Sequence, residues 1–135
     1  FKRYFLIQKH SFSYHFRSLR YIIIENICHN VNTFYTKKEF FNAGVTLGNY
    51  IILDEVFVRI GGKTLLDTLK HEAGHKKQSE MLGIMYLLVI GIPSFSRNIY
   101  DRVLHKKWLL SDRMDWYYDH FPENWADKLG GVDRG

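Results

Sequence analysis

The residues most able to do chemistry are His71-Glu72-Ala73-Gly74-His75, a match to H-E-x-x-H. On a helix, positions i and i+4 share a face, with Cβ atoms about 5–6 Å apart. Two imidazoles placed that way can reach one Zn2+ at roughly 2.0–2.1 Å. Glu72 lies about 100° round the helix from His71. It can approach a water on the metal without ligating the metal itself. A zinc ion brings the pKa of such a water toward ~7, and a carboxylate beside it can take the proton. The competing reading is a solvated helix face, because Lys70, Lys76 and Lys77 flank the motif.

A zinc site needs a third protein ligand, and a catalytic one keeps a fourth position open. Downstream acids and histidines are Glu80, His105, Asp112, Asp115, Asp119, His120, Glu123 and Asp127. Glu80 is five residues past His75 and points elsewhere on the same helix. Glu123 is favoured. It stands four residues before Asp127, so one carboxylate can ligate while the other accepts a hydrogen bond from a ligand imidazole and fixes its orientation. An acidic residue is also favoured in a helix's first turn by the macrodipole alone.

These side chains require elements to carry them. A helix is predicted after Gly61-Gly62, capped by Thr64 with Asp67 three residues on. Leu65, Leu66, Leu69 and Ala73 fall at helical spacing, and Gly83 sits at the C′ position. Upstream, residues 45–53 read as β-structure with a break at Gly48-Asn49. Residues 56–60 alternate Val56, Val58 and Ile60 and read as a second strand, joined through Asp54-Glu55 as a hairpin. Downstream, residues 81–96 carry no charge but contain Gly91 and Pro93, and fall short of the ~20 apolar residues of a spanning helix. They are predicted to be a buried core segment, with re-entrant or interfacial membrane contact as the lesser alternative. Residues 97–110 read as a helix with Ile99, Val103, Leu104 and Trp108 on one side. Over 119–131, Pro122 is placed at N1 and Gly130 at C′, bounding a short helix over 123–129. Residues 1–42 are basic and aromatic and are left unassigned, with a strand read at 21–24 and a short helix at 36–41. The site-bearing domain is placed at 43–135.

Composition narrows the classes. A chain of 135 residues with 46% hydrophobic and 16% aromatic residues can build one core, so long disorder is not expected. A single cysteine, Cys28, excludes an internal disulfide scaffold and a Cys-rich zinc ribbon. The net charge of +5 permits an anionic partner without demanding one. Nucleic acid is therefore not the expected partner, although the basic aromatic residues Lys2, Arg3, Tyr4, Phe5, His10, His15, Arg17 and Arg20 could stack on a single strand. No signal peptide is visible. Beginning at Phe1, the sequence reads as a fragment or processed product, a reading compatible with export as part of a larger protein.

Glu123-Asn124-Trp125-Ala126-Asp127 has the form E-x-x-A-D. Together with His71-Glu72-Ala73-Gly74-His75 it resembles the gluzincin metallopeptidases, especially the CAAX-protease and heat-shock-protease branch. The chain lacks that branch's spanning helices. It is similar instead to zincin-like domains at the C-termini of bacterial RHS-repeat and other polymorphic-toxin proteins. The likeness runs through Gly48-Asn49-Tyr50-Ile51-Ile52, residues 71–83, residues 86–94 with Gly91-Ile92-Pro93-Ser94, and residues 118–132. It covers about the last two-thirds of the chain and leaves residues 1–42 unexplained.

The resemblance implies an α+β, zincin-like domain, with a twisted sheet packed on the H-E-x-x-H helix and a C-terminal ligand helix. It implies His71, His75 and Glu123 as zinc ligands, Glu72 as general base and Asp127 as support for a ligand histidine. A strand, from 45–53 or 56–60, would lie beside a peptide or protein substrate. Tyr118 and His120 are candidates to stabilise the oxyanion, with Tyr117, His105 and Arg113 beside them, and spacing does not separate these. The expected activity is zinc-dependent peptide-bond hydrolysis, in a toxin or self-processing domain. The alternatives are a zinc-binding domain without turnover and a basic aromatic module for nucleic acid or membrane.

Overall fold

A computed structural model describes residues 32–36 and 44–134. The strand read at 21–24 and most of the helix read at 36–41 lie outside the described residues. Gly48-Asn49 forms a two-residue turn between β2 (Gly44–Leu47) and β3 (Tyr50–Asp54), which pair antiparallel with Val45 opposite Ile52 and Thr46 opposite Ile51. On the other side of β3, β1 (Asn32–Thr36) runs parallel to it, with Phe34 opposite Ile52. The sheet order is β1-β3-β2. Thus β1, within the stretch left unassigned from sequence, belongs to the same sheet, and Thr36 ends a strand rather than starting a helix.

Side chains alternate faces along a strand, so Ile51 and Leu53 point the same way. Both are fully buried, against Leu65, Leu69 and Ala73. Those three recur every fourth residue along α2 (Gly62–Leu82), the helix that carries the H-E-x-x-H residues. The expected packing of sheet on helix is therefore present.

The second strand expected at 56–60 is instead helix α1 (Glu55–Ile60). Asp54 explains the change. Its side chain accepts a hydrogen bond from the Val56 N–H at 3.0 Å, which caps a helix start directly after β3. Phe57, not the alternating Val56, Val58 and Ile60, packs on the core, and Ile60 is 61% exposed. The turn is consequently at Gly48-Asn49, not at Asp54-Glu55. Gly61 closes α1 and opens α2, so α2 starts two residues before the expected Thr64 cap and has no side-chain cap. Gly83 ends it as read from sequence.

Beyond Gly83 the chain makes a 3-10 turn (Gly83–Met85) and a π-helical turn (Leu87–Gly91), then enters α3 (Ile92–Leu104), bent 118° from α2. The buried core segment expected over 81–96 is not found. Only Tyr86 and Ile90 are buried, while Ile84 is 89% and Phe95 66% exposed. The apolar stripe of α2 is already covered by β3 and Phe57, and the bend carries the segment away from it. No single helix among the described residues is long and apolar enough to cross a membrane.

The helix expected over 97–110 stops at Leu104, capped by His105; Ile99, Val103 and Leu104 are exposed, and Trp108, also exposed, stacks on His105 instead of sharing a buried face with them. A separate helix, α4 (Leu110–Tyr118), follows and was not read from sequence. The last helix, α5 (Glu123–Gly130), has Pro122 one place earlier than expected, at the cap, after a cis Phe121–Pro122 bond. Gly131, not Gly130, takes the left-handed conformation that stops it, with φ 71°.

Gly130 has another task. A side chain on Gly130 would overlap the Lys70 carbonyl, and one on Gly74 would overlap the Ala126 carbonyl. Two glycines, one on each helix, therefore let α2 and α5 approach backbone to backbone. That approach brings the two halves of the motif together.

Candidate metal centre

Three ligand atoms converge between α2 and α5. His71 Nε2 lies 3.0 Å and His75 Nε2 3.1 Å from the same oxygen, Glu123 Oε2, and the two nitrogens are 3.1 Å apart. All three residues are buried. They are the one group of His, Cys, Asp and Glu among the described residues that lies close enough to hold a metal ion. A tetrahedral centre with ligand bonds of roughly 2.0–2.1 Å separates its ligands by about 3.3 Å. The cluster meets that demand by opening a few tenths of an ångström. Two imidazoles and one carboxylate are also the donor set of known catalytic zinc sites.

Each ligand is held from behind. His71 Nδ1 lies 2.7 Å from Asp127 Oδ1, one turn after Glu123 on α5. Arg134 grips that carboxylate with both arms, Nε to Oδ2 at 2.5 Å and a terminal nitrogen to Oδ1 at 2.8 Å. Its guanidinium also stacks on the Tyr118 ring, 3.4 Å from the centroid, and Tyr118 stands edge-on to His71. Tyr117 donates its hydroxyl hydrogen to Glu123 Oε1 at 3.1 Å. Behind His75, Nδ1 lies 2.8 Å from Gln78 Oε1.

The electrostatics follow from this burial. Desolvation alone would lower the His71 pKa, but hydrogen bonds to Asp127 and Glu123 outweigh it and raise it to about 9. Burial would raise Glu123, yet the hydrogen bond from His71 and the two imidazoles beside it hold it well below the usual carboxylate range. Asp127 is also lowered; burial opposes this, and the bonds from His71 and Arg134 prevail. Burial, with the Glu123 charge adding to it, pushes Tyr117 up and keeps its phenol protonated as a donor. Without a metal, the pocket is thus a buried, proton-loaded cluster of negative charge, and a cation can replace the proton.

Glu72 faces the other way, toward β2. The Thr46 hydroxyl reaches both Glu72 Oε2 at 2.5 Å and the Glu72 carbonyl at 3.1 Å. Glu72 Oε1 lies against Gly44, where any side chain would collide with it. β2 is at the edge of the described sheet, and its Thr46 carbonyl accepts the Tyr86 hydroxyl at 3.3 Å. Tyr86 is buried, and that burial, with Glu72 and Glu123 nearby, pushes its phenol up.

Comparison with family models, with curated proteins and with solved structures finds no match to this chain. The site must therefore be read from its own geometry.

The residues picked out from sequence divide cleanly. His71, His75, Glu123 and Asp127 come together, and Glu72 stands beside them on α2. Tyr118 reaches the cluster as the ring between His71 and Arg134. His120 does not join it, since its Nδ1 donates to the Trp116 carbonyl at 2.6 Å. His105 and Arg113 both bind Asp101, and His105 stacks on Trp108 at 3.8 Å. Glu80 pairs with Lys76 on the outside of α2. Thr46, Gln78, Tyr86 and Arg134 were not singled out from sequence. Gln78, three residues past His75, had a helical-spacing signal, whereas contacts made through β2 and the C-terminal tail leave none.

Proposed function

We propose that this chain is a zinc-dependent peptidase in which His71, His75 and Glu123 hold the metal and Glu72 is the general base. The convergence of His71 Nε2, His75 Nε2 and Glu123 Oε2, with Glu72 one residue along the same helix, carries this reading. The resemblance to gluzincins and to zincin-like toxin domains is in accord with it.

Zinc bound there would supply Lewis acidity and bring water within reach of deprotonation near neutral pH. The chain's own residues account for the rest. Thr46 holds Glu72 Oε2, and Oε1 is the atom we assign to take the proton of the attacking water. The same carboxylate then hands that proton to the leaving amine. A peptide laid along β2 would pair with its outer edge and pass close to Glu72. A peptide pairing there would displace the Tyr86 hydroxyl from the Thr46 carbonyl, and the freed phenol would be a donor for a developing oxyanion. A toxin or self-processing domain is the setting this reading assigns to the peptidase.

The test is Glu72→Gln, with zinc content and cleavage of a quenched-fluorescent peptide library measured together. Zinc retained with cleavage lost by about 10^3-fold or more supports the assignment. Cleavage unchanged in the variant overturns it. A wild-type protein that holds zinc but cleaves nothing points to a non-catalytic zinc domain.

A further inference from the structure

Gln78 is completely buried, at 0% exposure, one turn beyond His75 on α2. A buried amide is costly unless both ends are satisfied. Here both are. Its Nε2 donates to the Pro122 carbonyl at 3.2 Å, and its Oε1 lies 2.8 Å from His75 Nδ1. A backbone carbonyl can only accept, so the NH2 end of the amide must face Pro122. The oxygen end must then face His75. An amide oxygen also only accepts, so the His75 hydrogen sits on Nδ1. The lone pair of His75 Nε2 is left aimed at the point where Glu123 Oε2 and His71 Nε2 meet.

We infer that Gln78 is a positioning residue of the metal centre: it selects the Nδ1–H tautomer of His75 and ties that ring to the backbone that presents Glu123. The inference rests on the metal-binding reading above. Pro122 directly precedes Glu123, so one side chain fixes the second ligand's ring and the start of the third ligand's helix. The two histidines are supported unequally. His71 leans on a carboxylate, itself neutralised by Arg134, while His75 leans on a neutral amide. A second carboxylate behind His75 would add negative charge to a cluster that already buries Glu123 and Asp127. The amide orients the ring without that cost.

The full chain tests this with two readouts: zinc affinity by chelator competition, and the His75 tautomer in metal-free protein by long-range 15N–1H NMR. Gln78→Leu removes both hydrogen bonds. It is expected to weaken zinc binding by about 10–100-fold and to move His75 toward the Nε2–H tautomer. Gln78→Glu keeps an oxygen for Nδ1–H but loses the donor to the Pro122 carbonyl, so it is expected to keep the Nδ1–H tautomer that Gln78→Leu loses. Gln78→Leu binding within about threefold of wild type overturns the inference, as does a Gln78→Glu protein whose His75 carries its hydrogen on Nε2. A wild-type Nε2–H tautomer at His75 also overturns it, whatever the zinc result. Wild type that takes up no zinc while His75 keeps the Nδ1–H tautomer instead defeats the metal reading and leaves the tautomer assignment standing.

Discussion

At the scale of single residues, the candidate ligands His71, His75 and Glu123 are each held by a hydrogen bond from behind. Arg134 shows how far that reaches. It touches no ligand, yet it holds both oxygens of Asp127 and stacks on Tyr118, which stands against His71. Arg134→Ala is therefore expected to weaken zinc binding about tenfold, measured by chelator competition, with little change in far-UV circular dichroism. Arg134→Lys should not restore it, because an ammonium cannot grip two oxygens and lie flat on a ring. Affinity unchanged in Arg134→Ala would show that Asp127 orients His71 unaided. Sequence disclosed the residues that cluster because H-E-x-x-H is set by spacing within one helix, and E-x-x-A-D by spacing within another. It gave no sign of Thr46 or Arg134, whose partners are 26 and 7 residues away in sequence, on other elements or beyond a helix end.

Among the elements, the pairing of α2 with α5 does most to form the site. Gly74 and Gly130 set its spacing. Gly74→Ala would push its methyl group into the Ala126 carbonyl. It is expected to cost about 1–3 kcal/mol in chemical denaturation, and zinc binding should fall with it because Glu123 and Asp127 move away. A stable Gly74→Ala protein with normal zinc affinity would contradict the close approach. The segment after α2 gives a second check. Ile84→Lys should change stability by no more than about 0.5 kcal/mol, whereas Ile90→Ala should cost about 2–5 kcal/mol. The reverse pattern would restore the buried core segment that an uncharged run suggests. Legibility at this scale was mixed for a definite reason. The α2 helix has strong local signals, whereas Gly48-Asn49 reads as a break in 45–53 and the hairpin is expected at Asp54-Glu55, one strand too late. At 56–60, β-branched alternation competed with the Asp54 cap, and tertiary packing of Phe57 decided for helix. A charge-free run such as 81–96 says that residues are apolar but not whether any surface remains to bury them.

For the molecule as a whole, the buried cluster links folding, protons and metal. In metal-free protein, His71 is raised from 6.5 to about 9. Its contribution to stability is fully present below pH 6.5 and is lost as pH rises through about 9. Glu123 and Asp127 are lowered, so theirs is present above their usual values near pH 4 and lost as pH falls. Metal-free protein should therefore be most stable in mildly acidic solution and weaken toward pH 9. Zinc must displace the His71 proton, so its affinity should rise by about tenfold per pH unit between pH 6.5 and 9. A free histidine in that place would let affinity level off near pH 6.5, and such a plateau in chelator competition would contradict the proton-loaded cluster. The most direct measurement is the metal content of purified wild type beside Glu123→Ala, by elemental analysis after zinc reconstitution and desalting. About one zinc per chain in the wild type, largely lost in Glu123→Ala, is the expected result. Wild type without zinc would contradict the metal centre itself, and zinc held equally by both proteins would contradict Glu123 as its third ligand.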